Sequence, residues 1–415
     1  MHEPTTHRHI VADAHNCASQ HPNQKDFSRH TQTSRPTPQL SDTYPPMRHH
    51  NLTLAGTALL TIALLAAAKP NWTIGPFTRP TNAPLITPNK ASLFTDPIAK
   101  APIHWESLHT FNPAAIVRDN KIYVLYRAED DTGKMQIGEH TSRLGLAAST
   151  DGITFTRLPE PVFYPAEDTQ KSREWPGGVE DPRIVEAEDG TYVLTYTQWN
   201  RTTYSIGIAT SKDLQHWTKR GPAFLGSSNG KYDTLKYKSG GIVTQLKNNR
   251  LIAAHINGKP NGKYWLYWGE GAIHLATSSD LIHWTPVEDA TGTPIEVLTK
   301  RPGHFDSGFP EVGPPPILTD AGIVVLYNGK NDPDHGDPTL GANAYAAGEA
   351  LFDAHDPAHL LARTEAPSLK PEQPYEKTGQ YVAGTTFAEG LVRFHNQWFL
   401  YYGCADSAVG VVAAP

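Results

Sequence analysis

From residue 100 onward the chain alternates apolar and polar positions in short runs that halt at Gly, Asp, Asn or Pro and then restart. One run, Leu144-Gly145-Leu146-Ala147-Ala148-Ser149, ends in Thr150-Asp151-Gly152 and an aromatic, Phe155. It is echoed by Ile206-Gly207-Ile208-Ala209-Thr210-Ser211 with Asp213 and Trp217, and by Ile273-His274-Leu275-Ala276-Thr277-Ser278 with Asp280 and Trp284. Period-two alternation closed by a Ser-x-Asp turn predicts strands rather than helices. Between these runs lie five apolar pairs joined by polar turns: 114–118 with 122–127, 182–186 with 192–196, 241–246 with 250–254, 315–318 with 323–327, and 390–394 with 398–402. A unit of short antiparallel strands that starts five times predicts an all-β chain, a five-bladed β-propeller forming one domain over 75–415. A β-sandwich could hold as many strands but has no reason to repeat one turn three times.

The first 46 residues lack this pattern; rich in His, Thr, Gln, Ser and Pro, they predict disorder over 1–46. Met47-Arg48-His49-His50, the apolar run 52–68 ending in Ala66-Ala67-Ala68, and Lys69-Pro70 make the three parts of a secretory signal over 47–68. The run is near the lower limit of roughly 17 residues for a bilayer span, so an uncleaved anchor is the alternative. Its alanines and threonines favour cleavage. A signal belongs at an N-terminus, so Met47 reads as the start and 1–46 as an over-extended gene start. The domain is then exported, periplasmic or extracellular, and meets a membrane only if 52–68 stays uncleaved.

Composition narrows the function. Charged residues are 19% of the chain, with 33 Gly and 35 Pro, which argues against coiled coils and helix bundles. A net charge of -6 without a basic run offers no footprint for nucleic acid. Cys17 and Cys404 are too few for a disulfide framework or a thiolate zinc site. His104, His109, His216 and His255 show no ligand spacing, and Asp332-Pro333-Asp334-His335-Gly336-Asp337 lacks that of a calcium loop, so no metal or cofactor is expected.

In a propeller the innermost strand of each blade lines the central channel, so polar residues at the blade starts converge. They are Phe111-Asn112-Pro113, Gly178-Val179-Glu180-Asp181-Pro182-Arg183, Lys238-Ser239-Gly240, Glu311-Val312-Gly313, and Glu389-Gly390 with the segment from Tyr401 to Asp406. Carboxylates, Asn and Arg in one funnel fit glycosidic cleavage: a protonated carboxyl assists departure, and a second group delivers or activates the nucleophile. Trp and Tyr beside them suit the apolar faces of sugar rings. Asp151, Asp213 and Asp280, repeated in equivalent turns, read as structural. Glu180-Asp181 before a proline also fits a plain Asx turn, a reading weakened by its place at a blade start.

One set of motifs runs through the domain: Phe111-Asn112-Pro113-Ala114, Tyr126-Arg127, Gly178-Val179-Glu180-Asp181-Pro182-Arg183, Gly313-Pro314-Pro315-Pro316-Ile317, Tyr345-Ala346-Ala347-Gly348 with Leu351-Phe352-Asp353, Pro371-Glu372 with Tyr375-Glu376 and Gly379, and Tyr401-Tyr402-Gly403 with Ala405-Asp406. Across 111–406 it resembles glycoside hydrolase family 130, the mannoside phosphorylases and β-mannosidases built on a five-bladed propeller. The resemblance implies that Asp181 is the general acid of an inverting mechanism, acting by way of a sugar hydroxyl. It also implies that Asn112, Arg127, Arg183 and Asp406 hold the non-reducing-end sugar, most often mannose. Glu180, Lys238, Asn328 and Tyr401 are further candidate substrate contacts, and Glu180 is expected to raise the pKa of Asp181 by like-charge repulsion.

The departures from that pattern bear on the reaction. The phosphorylases that the chain resembles hold phosphate with third-blade arginines, a lysine before the Gly-Pro-Pro turn and a histidine after the fourth-blade Tyr. Here 251–256 and 264–270 contain no arginine, Glu311 stands near the place of the lysine, and Asn328 follows Tyr327. A carboxylate opposite the acid, with a water between, is what inverting hydrolysis needs. Glu311, or failing that Glu270, is therefore the expected general base. The expected activity is inverting hydrolysis of β-mannosides or related oligosaccharides. The alternatives are a phosphorylase releasing mannose 1-phosphate, with Lys236, Lys238 or His255 rebuilding the anion site, and a non-catalytic sugar-binding propeller.

Overall fold

The computed structural model describes residues 71–256 and 262–415; the extension 1–46 and the signal or anchor segment 47–68 lie outside the described residues. Five antiparallel groups of strands follow one another along the chain. The first is His109–Arg118, Lys121–Glu129, Ser142–Ser149 and Thr156–Arg157. The second is Gly178–Glu186, Tyr192–Trp199, Tyr204–Ser211 and Trp217–Pro222. In the third, Gly240–Ile242 and Thr244–Lys247 face a strand interrupted by an excursion, Arg250–Ala253 and then Lys263–Trp268, which Ile273–Ser278 follows. The fourth sets Phe309–Val312 and Ile317–Thr319 on Gly322–Lys330, followed by Tyr345–Phe352 and Leu360–Arg363. The fifth has three strands, Thr386–Phe394, Gln397–Cys404 and Ala408–Ala414. Residues ahead of the first group join its outer edge, with Thr78 bridged to Ala413 and Ile86 to Val409.

Successive residues along a strand enter different cores. Val124 and Tyr126 pack with Val392, Phe399 and Val411 of the fifth group, whereas Leu125 packs with Ile184 and Leu194 of the second. Val193 joins Ile242 and Leu266, Tyr267 joins Val325 and Ala346, and Leu326 joins Leu391 and Leu400. Apolar layers thus lie between each group and the next, and between the fifth and the first. Each fully buried Val, Leu, Ile or Phe contributes about 1.5–3 kcal/mol. Burial on both faces makes these strands more continuously apolar than the expected period-two alternation.

The three Ser-x-Asp turns are structural. The hydroxyls of Ser149, Ser211 and Ser278 donate to Oδ1 of Asp151, Asp213 and Asp280 at 2.8, 3.2 and 3.0 Å. That oxygen also accepts the backbone N–H groups two and three residues on, which close the turn before the next strand. Donation from Thr154 and Ile153 holds Asp151 down to about 2.

Candidate active site

The first strands of the groups do not run regularly. Pairing slips at Asn112 in the first group, at Asp181-Pro182 in the second and at Glu389 in the fifth. Asn112 and Asp181 have left-handed backbones with φ of 45° and 47°, and Ser239, just ahead of the third group, has φ of 59°. A bulge re-aims a side chain that a regular strand would present to the sheet face. Such backbone costs about 1–3 kcal/mol per residue and collects at functional sites. Gly403 leaves the space this requires, because a Cβ there would meet Asn112 Oδ1 at 2.2 Å.

These residues line a cavity of about 320 Å³ to which all five groups contribute. Asn112 and Arg127 come from the first group, Glu180 and Asp181 from the second, Lys238 and Glu270 from the ends of the third, Glu311 from the fourth and Asp406 from the fifth. Arg127 is the hub of one wall. Its Nη1 lies 3.1 Å from Asp181 Oδ1, and its Nη2 lies 2.7 Å from Glu129 Oε1 and 2.8 Å from Glu180 Oε1. Asn112 Nδ2 donates to the same Asp181 oxygen at 2.8 Å. Burial opposes the Asp181 charge, but Arg127, Lys238, Arg183 and the Asn112 bond outweigh it and hold the carboxyl at about 2. Burial pushes Glu180 up to about 7 against the pull of Arg127, and the Asp181 charge adds to the rise. The expected direction is reversed: Arg127 donates to both carboxylates, but Lys238 and Arg183 also favour the Asp181 charge while Glu129 opposes that of Glu180, so repulsion between the neighbours raises Glu180. Burial also lifts Asp406 to about 7.

On another wall, Lys238 Nζ lies 3.2 Å from Glu270 Oε1 and 3.4 Å from Glu311 Oε1. The Ser239 hydroxyl donates to Glu311 Oε1, and the backbones of Glu270 and Glu311 form a β-bridge. Burial raises Glu311 to about 7, with Lys238 opposing it.

These values carry a stability signature. Between about pH 4.5 and 7 the native protein holds protons on Glu180, Glu311 and Asp406 that the unfolded chain has released. Their stabilising contribution is full below the unfolded carboxyl pKa and is lost as pH rises through 7. Thermal unfolding at constant ionic strength should therefore show Tm falling from pH 5 to 8, with a shallower fall in Asp406→Asn. His109 and His274, lowered by burial, act in the opposite sense, so the comparison decides: a fall in Asp406→Asn as steep as in the wild type would contradict the raised Asp406.

Three expected contacts do not line the cavity. Arg183 is buried and donates to the carbonyls of Asp181, Val312 and Gly313, so it holds backbone and not sugar. Asn328 is fully buried; its Nδ2 donates to Ala388 O at 3.0 Å and its Oδ1 accepts from Ala388 N at 2.8 Å, so that it acts as a strand partner between the fourth and fifth groups. Asn328→Ala would leave both Ala388 groups unpaired, at about 1–3 kcal/mol each. A chemical denaturation midpoint unchanged by that substitution would count against this role. Tyr401 faces the core between the fifth and first groups, and its hydroxyl donates to Gly152 O at 2.9 Å. His255 is exposed, packs on Tyr264 and does not line the cavity; Lys236 lies over the Tyr204 ring, in an adjoining recess that shares Tyr204, Lys238 and Glu270 with the cavity.

Other lining residues were not singled out as sugar contacts in the sequence, although Phe111 and Tyr345 stand in its motifs. Phe111, Trp199, Tyr204, Tyr345, Tyr381 and Phe387 supply the apolar surface. Trp199 pairs opposite Gly178, so the register of the second hairpin could have revealed it. Gln380, whose Nε2 bonds Glu129 Oε2 at 3.1 Å and Asp406 O at 2.9 Å, sits in a connection with no periodicity to mark it. His109, Glu129 and His140 bring ligand-type atoms within 4.8 Å of one another, a grouping that chain spacing does not reveal. Arg127 and Gln380 already engage the Glu129 oxygens, and Ser407 Oγ engages His109 Nδ1. In the Asp332 loop, Asp332 Oδ1 accepts the N–H groups of Asp334 and His335.

Comparison with known proteins agrees with the motifs. The profile of glycoside hydrolase family 130, described as beta-1,4-mannooligosaccharide phosphorylase, matches residues 83–415. A 1,2-beta-oligomannan phosphorylase from Thermoanaerobacter sp. (strain X514) is 33% identical over 316 residues, 75% of this chain and 92% of its own length. A glycosyl hydrolase from Bacteroides ovatus superposes with a TM-score of 0.80 at 51% identity, covering 83% of this chain and 95% of its own. Another structure, with a TM-score of 0.81 at 50% identity and the same coverage, carries the description that the GH130 family of mannoside phosphorylases contains glycoside hydrolases that target beta-1,2 mannosidic linkages in Candida mannan. With the profile spanning every strand group, the chain belongs to glycoside hydrolase family 130.

Proposed function

We propose that this chain is an inverting hydrolase of β-mannosides, working in the central funnel of a closed five-bladed propeller. The β-1,2 linkage named for a structural relative is the first candidate. The observation that carries the reading is the engagement of Lys238. Five carboxylates and two cations line the cavity, and the one lysine among them lies against both Glu270 and Glu311. A phosphate dianion would have to displace those carboxylates and would be repelled by them. A water molecule would not.

In this reading the sugar at the non-reducing end lies against Asn112, Arg127 and Asp406. Arg127 and Asn112 hold Asp181 by Oδ1, which leaves Oδ2 for a sugar hydroxyl that passes a proton on to the departing oxygen. Asp181 is ionised in the free protein, so a proton must return to it as the sugar displaces water from its surroundings. Glu180 and Asp406, near 7, hold the neighbouring protons. Glu311 takes a proton from water on the opposite face. The water oxygen bonds to the anomeric carbon as the bond to the leaving sugar breaks, and the configuration inverts.

The family profile and the Thermoanaerobacter relative favour a second reading, phosphorolysis. Product analysis separates the two. With β-mannobioses of each linkage, mannose should form at a rate indifferent to added phosphate. Accumulation of mannose 1-phosphate, with little turnover when phosphate is absent, would overturn hydrolysis. Export through 47–68 accords with hydrolysis, because outside a cell phosphorolysis loses the advantage of retaining bond energy in a sugar phosphate. N-terminal sequencing of natively produced protein should find the mature chain starting near residue 69; residues 1–46 intact would refute the cleaved signal and leave an anchored or a cytosolic protein.

A further inference from the structure

We propose that the buried pair Arg183–Glu389 is a positioning device that holds Asp181 and Glu311 in fixed relation to one another; its catalytic consequence rests on the acid and base roles proposed above. The Arg183 side chain is almost wholly enclosed and directs its donors at backbone. Nη1 donates to Asp181 O at 3.0 Å, Nη2 to Val312 O at 2.8 Å, and Nε to Gly313 O at 3.2 Å. One planar fork therefore ties the bulge carrying the acid to the two residues that directly follow the base. Guanidinium geometry is rigid, so the spacing of those carbonyls is transmitted across two strand groups.

The backbone at Asp181 needs such a tie. It is left-handed with φ of 47°, it precedes a proline, and the pairing register skips it. Neither sterics nor strand pairing favours that conformation. Glu389 fixes the fork in turn. Its Oε1 lies 3.0 Å from Arg183 Nη2, its side chain is wholly buried, and it occupies the slip in the fifth group. Neither Glu389 oxygen has a hydrogen-bond partner of good geometry among the described residues, so Arg183 is its principal contact. Buried pairs of this kind contribute little net stability against apolar replacements, and a role in fixing geometry accounts for this one better.

The test is kinetic, on the full chain. Arg183→Lys keeps the charge but loses the fork, and Glu389→Asp keeps the carboxyl, which burial pushes well up, but withdraws it from Nη2. Each variant should lower kcat about 10- to 100-fold, the cost of displacing reacting groups by about an ångström. KM should stay within about threefold. The loss should be similar for mannobiose and for an aryl β-mannoside with an activated leaving group, because the base is displaced along with the acid. Wild-type kcat in both variants, or activity loss accounted for entirely by an unfolded fraction in thermal melts, would overturn the proposal. If Arg183→Lys fails to fold, the conservative Glu389→Asp decides alone. If Asp181→Asn leaves mannobiose hydrolysis intact, the acid assignment has failed instead, whatever the pair does.

Discussion

Asp181→Asn is expected to lower kcat on β-mannobiose by about 1,000- to 10,000-fold, the upper range for loss of a general acid with a poor leaving group. The substitution keeps an oxygen able to accept from Asn112 and Arg127 but cannot carry the proton. The fold should survive, because Arg127 retains Glu129 and Glu180 as partners; circular dichroism and Tm check this. An aryl mannoside with an activated leaving group departs without help, so its rate should fall far less. Equal loss on both substrates would mean that Asp181 binds sugar, or shapes the bulge, without supplying a proton.

Glu311→Gln should lower kcat by about 100-fold or more on both substrates, since base assistance is needed whichever group departs. The wild-type pH profile gives an independent check. Burial pushes Glu311 up to about 7, so a base at this position is protonated and idle below neutrality. The rate kcat/KM should climb from pH 5 toward 7, and this limb should vanish from the residual activity of the variant. Glu270 is the competing base; it is exposed and shares Lys238. If Glu270→Gln removes the limb and Glu311→Gln does not, the base is Glu270. If phosphate accelerates the wild type, neither carboxylate is the base.

The strand content and its repetition were open to reading from the sequence, because both are local. Apolar runs halted by Ser-x-Asp turns at 149–151, 211–213 and 278–280 form in the structure, each Asp gathering the N–H groups beside it. The hairpins pair as the runs imply, with Leu125 opposite Ala114, Thr244 opposite Ala253 and Ile317 opposite Val324. Harder to read were the departures from regular strand. The excursion that interrupts the third group's second strand, and the chain ahead of the first group completing the fifth, depend on partners far away in sequence.

The site divides along the same line. By itself the sequence determined which residues stand at the starts of the repeated units, and hence that Asn112, Glu180, Asp181, Glu311 and Asp406 share one cavity. It also showed that 251–256 and 264–270 contain no arginine and that a carboxylate, Glu311, precedes the Gly-Pro-Pro turn, because composition at a motif position needs no geometry. Only the tertiary structure decided which polar residues face the cavity and which hold the backbone behind it. Arg183, Asn328 and Tyr401 look like binding residues in one dimension; in three they are tied to Val312, Ala388 and Gly152. Only the tertiary structure, too, decided where the protons sit. Glu180 and Asp181 are adjacent carboxylates of nearly equal intrinsic acidity. The fold sets Lys238 and Arg183 near Asp181 and Glu129 near Glu180, and so leaves Glu180 to keep the proton although Arg127 donates to both.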